Sequence, residues 1–203
     1  MTNLSQWQIP ISFFGRFLLI AALFSVLWEL VATTYLSILL PIANILLDIG
    51  DTHTHLEIHS DGVLLVFEDL TGGIHRLRFS GYELIFLYPV ATVALFAATP
   101  HLETGAKLRW CTGALVAFSA LQIINLYAGT YSALIQYWIQ QPALRRENLA
   151  HNGWPTDIST SYWHELFFAW WNTWGGQGLA LVLWIWAAKP YLAEHLHSAN
   201  SNG

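Results

Sequence analysis

Four side chains near the middle of the chain carry metal-ligand chemistry: His53, His55, Glu57 and His59 alternate along a β-like stretch. Successive strand side chains point to opposite faces, so this period of two puts all four on one face. Imidazole and carboxylate are ligands for zinc or copper. Ligands along one strand diverge by roughly 7 Å for every two residues. A divalent metal here therefore needs a further ligand, such as His75 or His151. The alternative is the solvated polar face of a hairpin whose other face, Leu56 and Ile58, packs inward.

A second set is Ser80, Asn125 and His164, a hydroxyl, an amide and an imidazole. These are the residue types of a nucleophile, an orienting group and a base in a hydrolytic site. Cys111, the single cysteine, lies in Arg109-Trp110-Cys111-Thr112-Gly113. Basic neighbours lower a thiol pKa and favour the nucleophile, so Cys111 is an alternative partner for His164. It also reads as a small buried thiol. One cysteine excludes an internal disulfide. The string His164-Glu165-Leu166-Phe167-Phe168 lacks the second histidine of a zincin, and no glycine-rich phosphate loop occurs.

The elements that must position these residues follow from composition. Of 203 residues 55% are hydrophobic and only 10% are charged, with a net charge of −5. Soluble domains carry about a quarter charged residues. That deficit argues against a soluble globular domain, a disordered chain and a nucleic-acid binder, leaving an integral membrane protein with the lipid bilayer as its first partner. The spacing predicts four spans, at about 17–40, 83–99, 110–138 and 163–188, since about 20 apolar residues cross a bilayer core. Pro41 is expected to interrupt the first, with residues 41–50 as a short interfacial continuation. Between the first two, residues 53–81 hold short β-like runs divided by Asp61-Gly62 and Gly72-Gly73, which predicts a three-stranded meander or hairpin. Residues 139–162 read as a loop. The expected fold is an all-α integral membrane bundle of four spans with this small extracytoplasmic β element, forming one membrane domain over 1–203.

Arg16, Lys107, Arg109 and Lys189 flank the spans on one side in short segments, where the positive-inside rule acts. Both termini and the 100–109 loop are therefore placed in the cytoplasm, and the β element and the 139–162 loop outside. Ser80, Asn125 and His164 then reach the outer face.

Within the spans, Glu29 stands out. A carboxylate near the middle of a membrane helix costs about 2.5–3.5 kcal/mol on insertion scales. It reads as a proton site, a contact for a partner helix, or a neutral hydrogen-bonded packing residue. Ser119, Gln122 and Asn125 recur every three residues, and His164, Phe168 and Asn172 every four, as do Glu165, Ala169, Thr173 and Gln177. Such stripes join spans by hydrogen bonds. With Glu29, the residues Gln122, Asn172 and Gln177 also make a candidate partner-facing surface. The Trp residues crowding the C-terminal part read as interfacial anchors.

The order of parts resembles the exosortase and archaeosortase membrane proteins, and more closely the short, four-span exosortase-associated ones. Phe79-Ser80-Gly81 follows the β element where exosortases carry Cys-Ser-Gly. Asn125-Leu126-Tyr127-Ala128 stands where they carry Asn-x-x-Arg, and His164 matches their final histidine. The thiol nucleophile and the cation that steadies an oxyanion are absent at those positions. The resemblance implies a non-catalytic accessory of a protein-sorting system in the bacterial inner membrane, binding a sorting enzyme or its substrate helix. The runner-up is a membrane hydrolase or transpeptidase using Ser80 or Cys111 with His164. A third option is an outer-face metal binder at His53, His55 and His59. No cofactor beyond that divalent metal is expected.

Overall fold

The computed structural model describes residues 5–49, 53–59, 62–78, 87–100, 102–138, 142–156 and 158–201, excepting the side chains of 5–11, 29, 87, 142–143, 158–161 and 190–201. Helix α1 runs Ser5–Ile49. Strands β1 Thr54–His59, β2 Gly62–Glu68 and β3 Ile74–Arg78 follow. Then come α2 Leu87–Ala98, α3 Thr104–Tyr137, α4 Pro142–His151 and α5 Ile158–Trp170. A π-helical turn, Trp171–Gly175, leads into α6 Gly176–Ser201.

The four-span bundle is not what the chain forms. Among the described residues only two helical stretches, Leu30–Ile49 and Thr104–Tyr137, are long and apolar enough to cross a membrane. Apolar composition ran ahead of helix length and regularity. Among the described residues of the second expected span the helix has 12 residues, about 18 Å at 1.5 Å per residue, against an apolar core of about 30 Å. The fourth holds the π-helical turn Trp171–Gly175 between α5 and α6. The continuation past Pro41 is present, and α1 runs through that residue to Ile49 without the expected interruption. The 139–162 segment is no plain loop either, because α4 occupies part of it.

The chain divides into two compact units. The first comprises Met1–Leu30, Phe86–Phe118 and Gly176–Gly203. Its core is built from small residues, Ala94, Ala98, Ala114, Ala180 and Ala187, around Tyr88 and Phe96. Such residues let helices approach closely. Gly176 has room for no side chain, since a Cβ there would overlap the ring of Tyr88. Trp184 Nε1 donates to Thr99 Oγ1 at 2.7 Å. Lys107 Nζ donates to the Ala97 carbonyl at 3.0 Å, placing a cation at the C-terminal end of α2, where the helix dipole favours one.

The second unit comprises Val31–Ile85 and Ser119–Gly175. Leu36, Leu39, Leu40, Ala43 and Leu47 give α1 one buried face, recurring at the helical three-and-four spacing. The expected meander is present: the sheet is antiparallel in the order β1-β2-β3. The central strand is covered on both faces, with Val63, Leu65, Val66 and Phe67 all buried. In β1 Leu56 is buried as the alternation requires, whereas Ile58 is 43% exposed.

Three asparagines fix the meander in place. Asn44 of α1 donates to the Leu56 carbonyl at 2.9 Å and accepts from the Leu56 amide at 2.8 Å. Asn148 of α4 accepts from the Leu70 amide at 3.0 Å, and Asn152 donates to the Glu68 carbonyl at 2.8 Å. Helix α4 opens on Pro142, the residue suited to a first helical position. It closes on Gly153, whose φ of 71° only glycine adopts freely. The Gly153 amide bonds Ala150 O and the Trp154 amide bonds Leu149 O, the two bonds of a Schellman cap.

Candidate functional site: a cavity between the edge strand and the end of a long helix

The site begins at the turn joining β2 to β3. Asp69 starts it, with its carbonyl accepting from the Gly72 amide at 3.0 Å and Gly72 at φ 82°. One carboxylate oxygen, Oδ1, accepts from the Thr71 amide, the Thr71 hydroxyl and the Gly73 amide at 2.8, 2.6 and 2.9 Å. The other, Oδ2, lies 2.8 Å from His75 Nε2. These donors, His75 first, hold the Asp69 carboxyl well below the usual carboxylate range. The group is therefore ionised and accepts only. His75 Nε2 must then carry the proton, and in the neutral ring Nδ1 is left as an acceptor.

That acceptor faces Tyr137, the last residue of α3, whose hydroxyl lies 3.0 Å from His75 Nδ1. The imidazole is also held by its faces. It stacks on Phe67 at 5.3 Å with an interplanar angle of 24° and meets Trp138 edge-on at 6.2 Å. Asp69, His75 and Tyr137 thus form a line in which each side chain fixes the next.

Tyr137 is one wall of an open cavity of about 330 Å³. Arg78, Gln136 and Ser132 supply its other polar groups, and Leu77 and Phe168 its apolar walls. Gly129 and Ala133 of α3 also line it, offering nothing larger than a methyl group. Arg78, Gln136 and Tyr137 are exposed, whereas Gly129 and Ser132 are buried. Along α3 the lining thus runs from exposed Gln136 and Tyr137 to buried Ser132 and Gly129.

Deeper in the same unit lies the polar stripe. Gln122 is buried, and its Oε1 accepts from Trp171 Nε1 at 3.3 Å. Asn125 is fully buried and donates through Nδ2 to Asn172 Oδ1 at 3.4 Å. Asn172 in turn donates to the Phe168 carbonyl at 2.8 Å. Two polar atoms, Gln122 Nε2 and Asn125 Oδ1, are buried without a hydrogen-bond partner. Gln122 and Asn172 thus face one helical junction, while Gln177 is exposed on α6. Glu29 sits within α1, and its side chain lies outside the described residues.

Of the proposed hydrolytic trio, Ser80 lies outside the described residues. Asn125 is at the junction just described. His164 of α5 packs edge-on against Tyr131 at 4.7 Å and near Tyr127 at 6.2 Å. Tyr131 stacks on Trp154 at 5.1 Å and donates to the Pro155 carbonyl. Cys111 is half-buried on α3, in the first unit.

His55 Nε2 meets Glu57 Oε1 at 3.0 Å. The His53 ring lies 5.9 Å from that of His151. His59 stands opposite Gly62 at the far end of β1. Asp48, His53, His55 and Glu68 line a second cavity of about 350 Å³. Among the described residues no three histidine, cysteine or acidic groups are placed to hold a metal ion.

The Asp69–His75–Tyr137 line was missed from sequence. The Asp-x-Thr-Gly-Gly-x-His string over 69–75 signals a side-chain-locked turn, but nothing local points to Tyr137, 62 residues on. Comparison with protein-family models, curated proteins and solved structures gives no match.

Proposed function

We propose that this protein is a membrane-anchored, non-catalytic binding protein that serves a protein-sorting enzyme of the exosortase kind in a bacterial inner membrane, with both termini cytoplasmic. The observation that carries the binding reading is the cavity beside Tyr137. It is open, lined in part by Arg78 and walled by a side chain already locked through His75 to Asp69. A pre-formed concave site with a few fixed polar groups is the usual form of a recognition site. Membrane anchoring is supported by the outer faces of the two long apolar stretches, of which only 28% and 33% is buried. Leu30, Ile38, Ile45 and Ile49 of α1 are exposed, a patch that water disfavours and lipid accepts. The sorting partner is supported by Phe79-Ser80-Gly81, Asn125 and His164 in the sequence.

The test is photo-crosslinking from native membranes, with the reactive group at exposed Gln177, followed by mass spectrometry of the captured chain. A membrane sorting enzyme or its substrate is the expected product. Glu29→Leu is expected to weaken that capture. Recovery of the protein in the soluble fraction, or capture of no membrane protein, would overturn the reading.

A second reading is favoured by the same line of side chains. A carboxylate, an imidazole and a hydroxyl in sequence form the arrangement that activates a nucleophile, with Tyr137 in the attacking place. An aryl sulfonyl fluoride reports on it, because an activated phenol displaces fluoride. Labelling at Tyr137 above the other tyrosines, abolished by His75→Phe, would favour catalysis; uniform labelling would remove it.

A further inference from the structure

Two buried amides of α3 meet the π-helical turn in a way that leaves one donor and one acceptor over. Trp171 and Asn172 are the first two residues of that turn, and π-helical turns gather at functional sites. Gln122 and Asn125 bond to them and stand three residues apart, on one side of α3. Partners of a single polarity fix which end of each amide points where. The indole Nε1 of Trp171 only donates, so Gln122 presents Oε1 to it at 3.3 Å and keeps the Nε2 donor. The Phe168 carbonyl only accepts, so Asn172 gives it Nδ2 at 2.8 Å and turns Oδ1 towards Asn125. Asn125 answers with Nδ2 at 3.4 Å and keeps the Oδ1 acceptor. The two leftover atoms, Gln122 Nε2 and Asn125 Oδ1, have no hydrogen-bond partner among the described residues. Their residues are 3% and 0% exposed.

We infer that one water molecule binds here, accepting from Gln122 Nε2 and donating to Asn125 Oδ1, and that it completes the junction between α3 and the π-helical turn. The pair of polarities selects the ligand. A cation is opposed by the Gln122 donor and an anion by the Asn125 acceptor, whereas water both donates and accepts. The spacing agrees. Side chains three apart on a helix have Cβ atoms about 5–6 Å apart, and two hydrogen bonds through one water span about 5.5 Å. Burying both atoms unpaired is costly, and bound water is the usual partner of such groups. Solvent also comes close to the pair. Gly129, about one turn beyond Asn125, and Phe168, whose carbonyl holds Asn172, both line the open cavity beside Tyr137. The site is independent of what that cavity binds.

The full-length protein, labelled with nitrogen-15 in its glutamine side chains and held in detergent micelles, is studied by NMR. The Gln122 amide signal is the one that Gln122→Met removes. Its protons are expected to show a water cross-peak in both laboratory-frame and rotating-frame Overhauser spectra. Opposite signs in the two spectra mark a bound water; equal signs mark proton exchange or loose surface solvent. Asn125→Leu should remove that cross-peak while the Gln122 signal remains. Ser119→Ala, which deletes the hydroxyl one turn before Gln122, should leave it unchanged. A wild-type spectrum without the cross-peak, or with equal signs, overturns the site, and this arm decides even where Asn125→Leu does not fold. A cross-peak that survives Asn125→Leu shows a water that does not bridge the pair and overturns the inference. One lost in Ser119→Ala arises through that hydroxyl and overturns it too.

Discussion

The Tyr137 hydroxyl meets His75 Nδ1 at 3.0 Å, and that contact joins the final turn of a 34-residue helix to the edge strand of the meander. Three short strands hold together poorly on their own in water. Here the sheet borrows rigidity from helices on several sides: Tyr137 at β3, Asn44 at β1, and Asn148 and Asn152 at the turn after β2. Each of these is a single polar side chain bonded to a strand or turn, and each is open to test.

Removing the phenolic hydroxyl isolates its part. Tyr137→Phe keeps the ring against Phe67, 5.4 Å away, and deletes only the bond to His75. A part-exposed hydrogen bond contributes about 0.5–1.5 kcal/mol net. We expect a loss in that range by thermal unfolding, with faster amide exchange over Ile74–Arg78. Unchanged exchange in β3 would show that Phe67 and Trp138 alone hold the strand.

Acid should loosen the same corner. The Asp69 carboxyl titrates below the usual range because of His75, then Thr71 and the Gly73 amide. A carboxyl depressed in the folded state adds stability that is fully present above its unfolded pKa of about 3.9. That stability is lost as the pH falls from there through the folded value. Amide protection of the 69–75 turn should therefore hold from neutrality to about pH 5 and decline below about pH 4. Asp69→Asn should lower protection at neutral pH and flatten the decline. A wild-type turn equally protected at pH 3 and pH 7 would contradict this.

Asn44 makes two bonds to one residue of β1, through its amide nitrogen and its amide oxygen. Asn44→Ala leaves the Leu56 amide and carbonyl without them where Leu56 is buried. Unsatisfied buried groups cost about 1–3 kcal/mol each. The expected result is a drop of that order in stability and a preferential rise in exchange at β1. Loss spread evenly over all three strands would mean that Asn44 acts through α1 instead.

These contacts also mark where the sequence stopped being readable. The meander was legible because Asp61-Gly62 and Gly72-Gly73 punctuate short β-branched runs. Helix α4 carried a readable start and stop in Pro142 and Asn152-Gly153, hidden by the polar residues between them. The four-span expectation failed because apolar residues are counted without regard to the length and regularity of the helix that carries them. Gly175-Gly176 sits where the fourth expected span turns π-helical. Gln122, Asn125 and Asn172 were found as a stripe by their spacing, and Asn125 and Asn172 do meet. Spacing within each helix gave no account of Trp171 as the partner of Gln122. Tyr137 stayed invisible because its partner comes from a distant strand.

Gly176 offers the sharpest check on the packing of the first unit. Alanine is favoured over glycine inside a helix by about 1 kcal/mol, so propensity alone predicts that Gly176→Ala stabilises α6. The opposite is expected. The new methyl group would overlap the ring of Tyr88, which is only 3% exposed. Overpacking of this kind costs about 1–3 kcal/mol, enough to outweigh the propensity gain at most of that range. Gly178, with nothing within 4 Å of the same position, supplies the control, and Gly178→Ala should stabilise or leave Tm unchanged. Combining Gly176→Ala with Tyr88→Leu, which removes part of the ring, should recover some of the loss, a coupling that a double-mutant cycle measures. If Gly176→Ala and Gly178→Ala shift Tm alike, α2 and α6 do not pack through Tyr88 and Gly176.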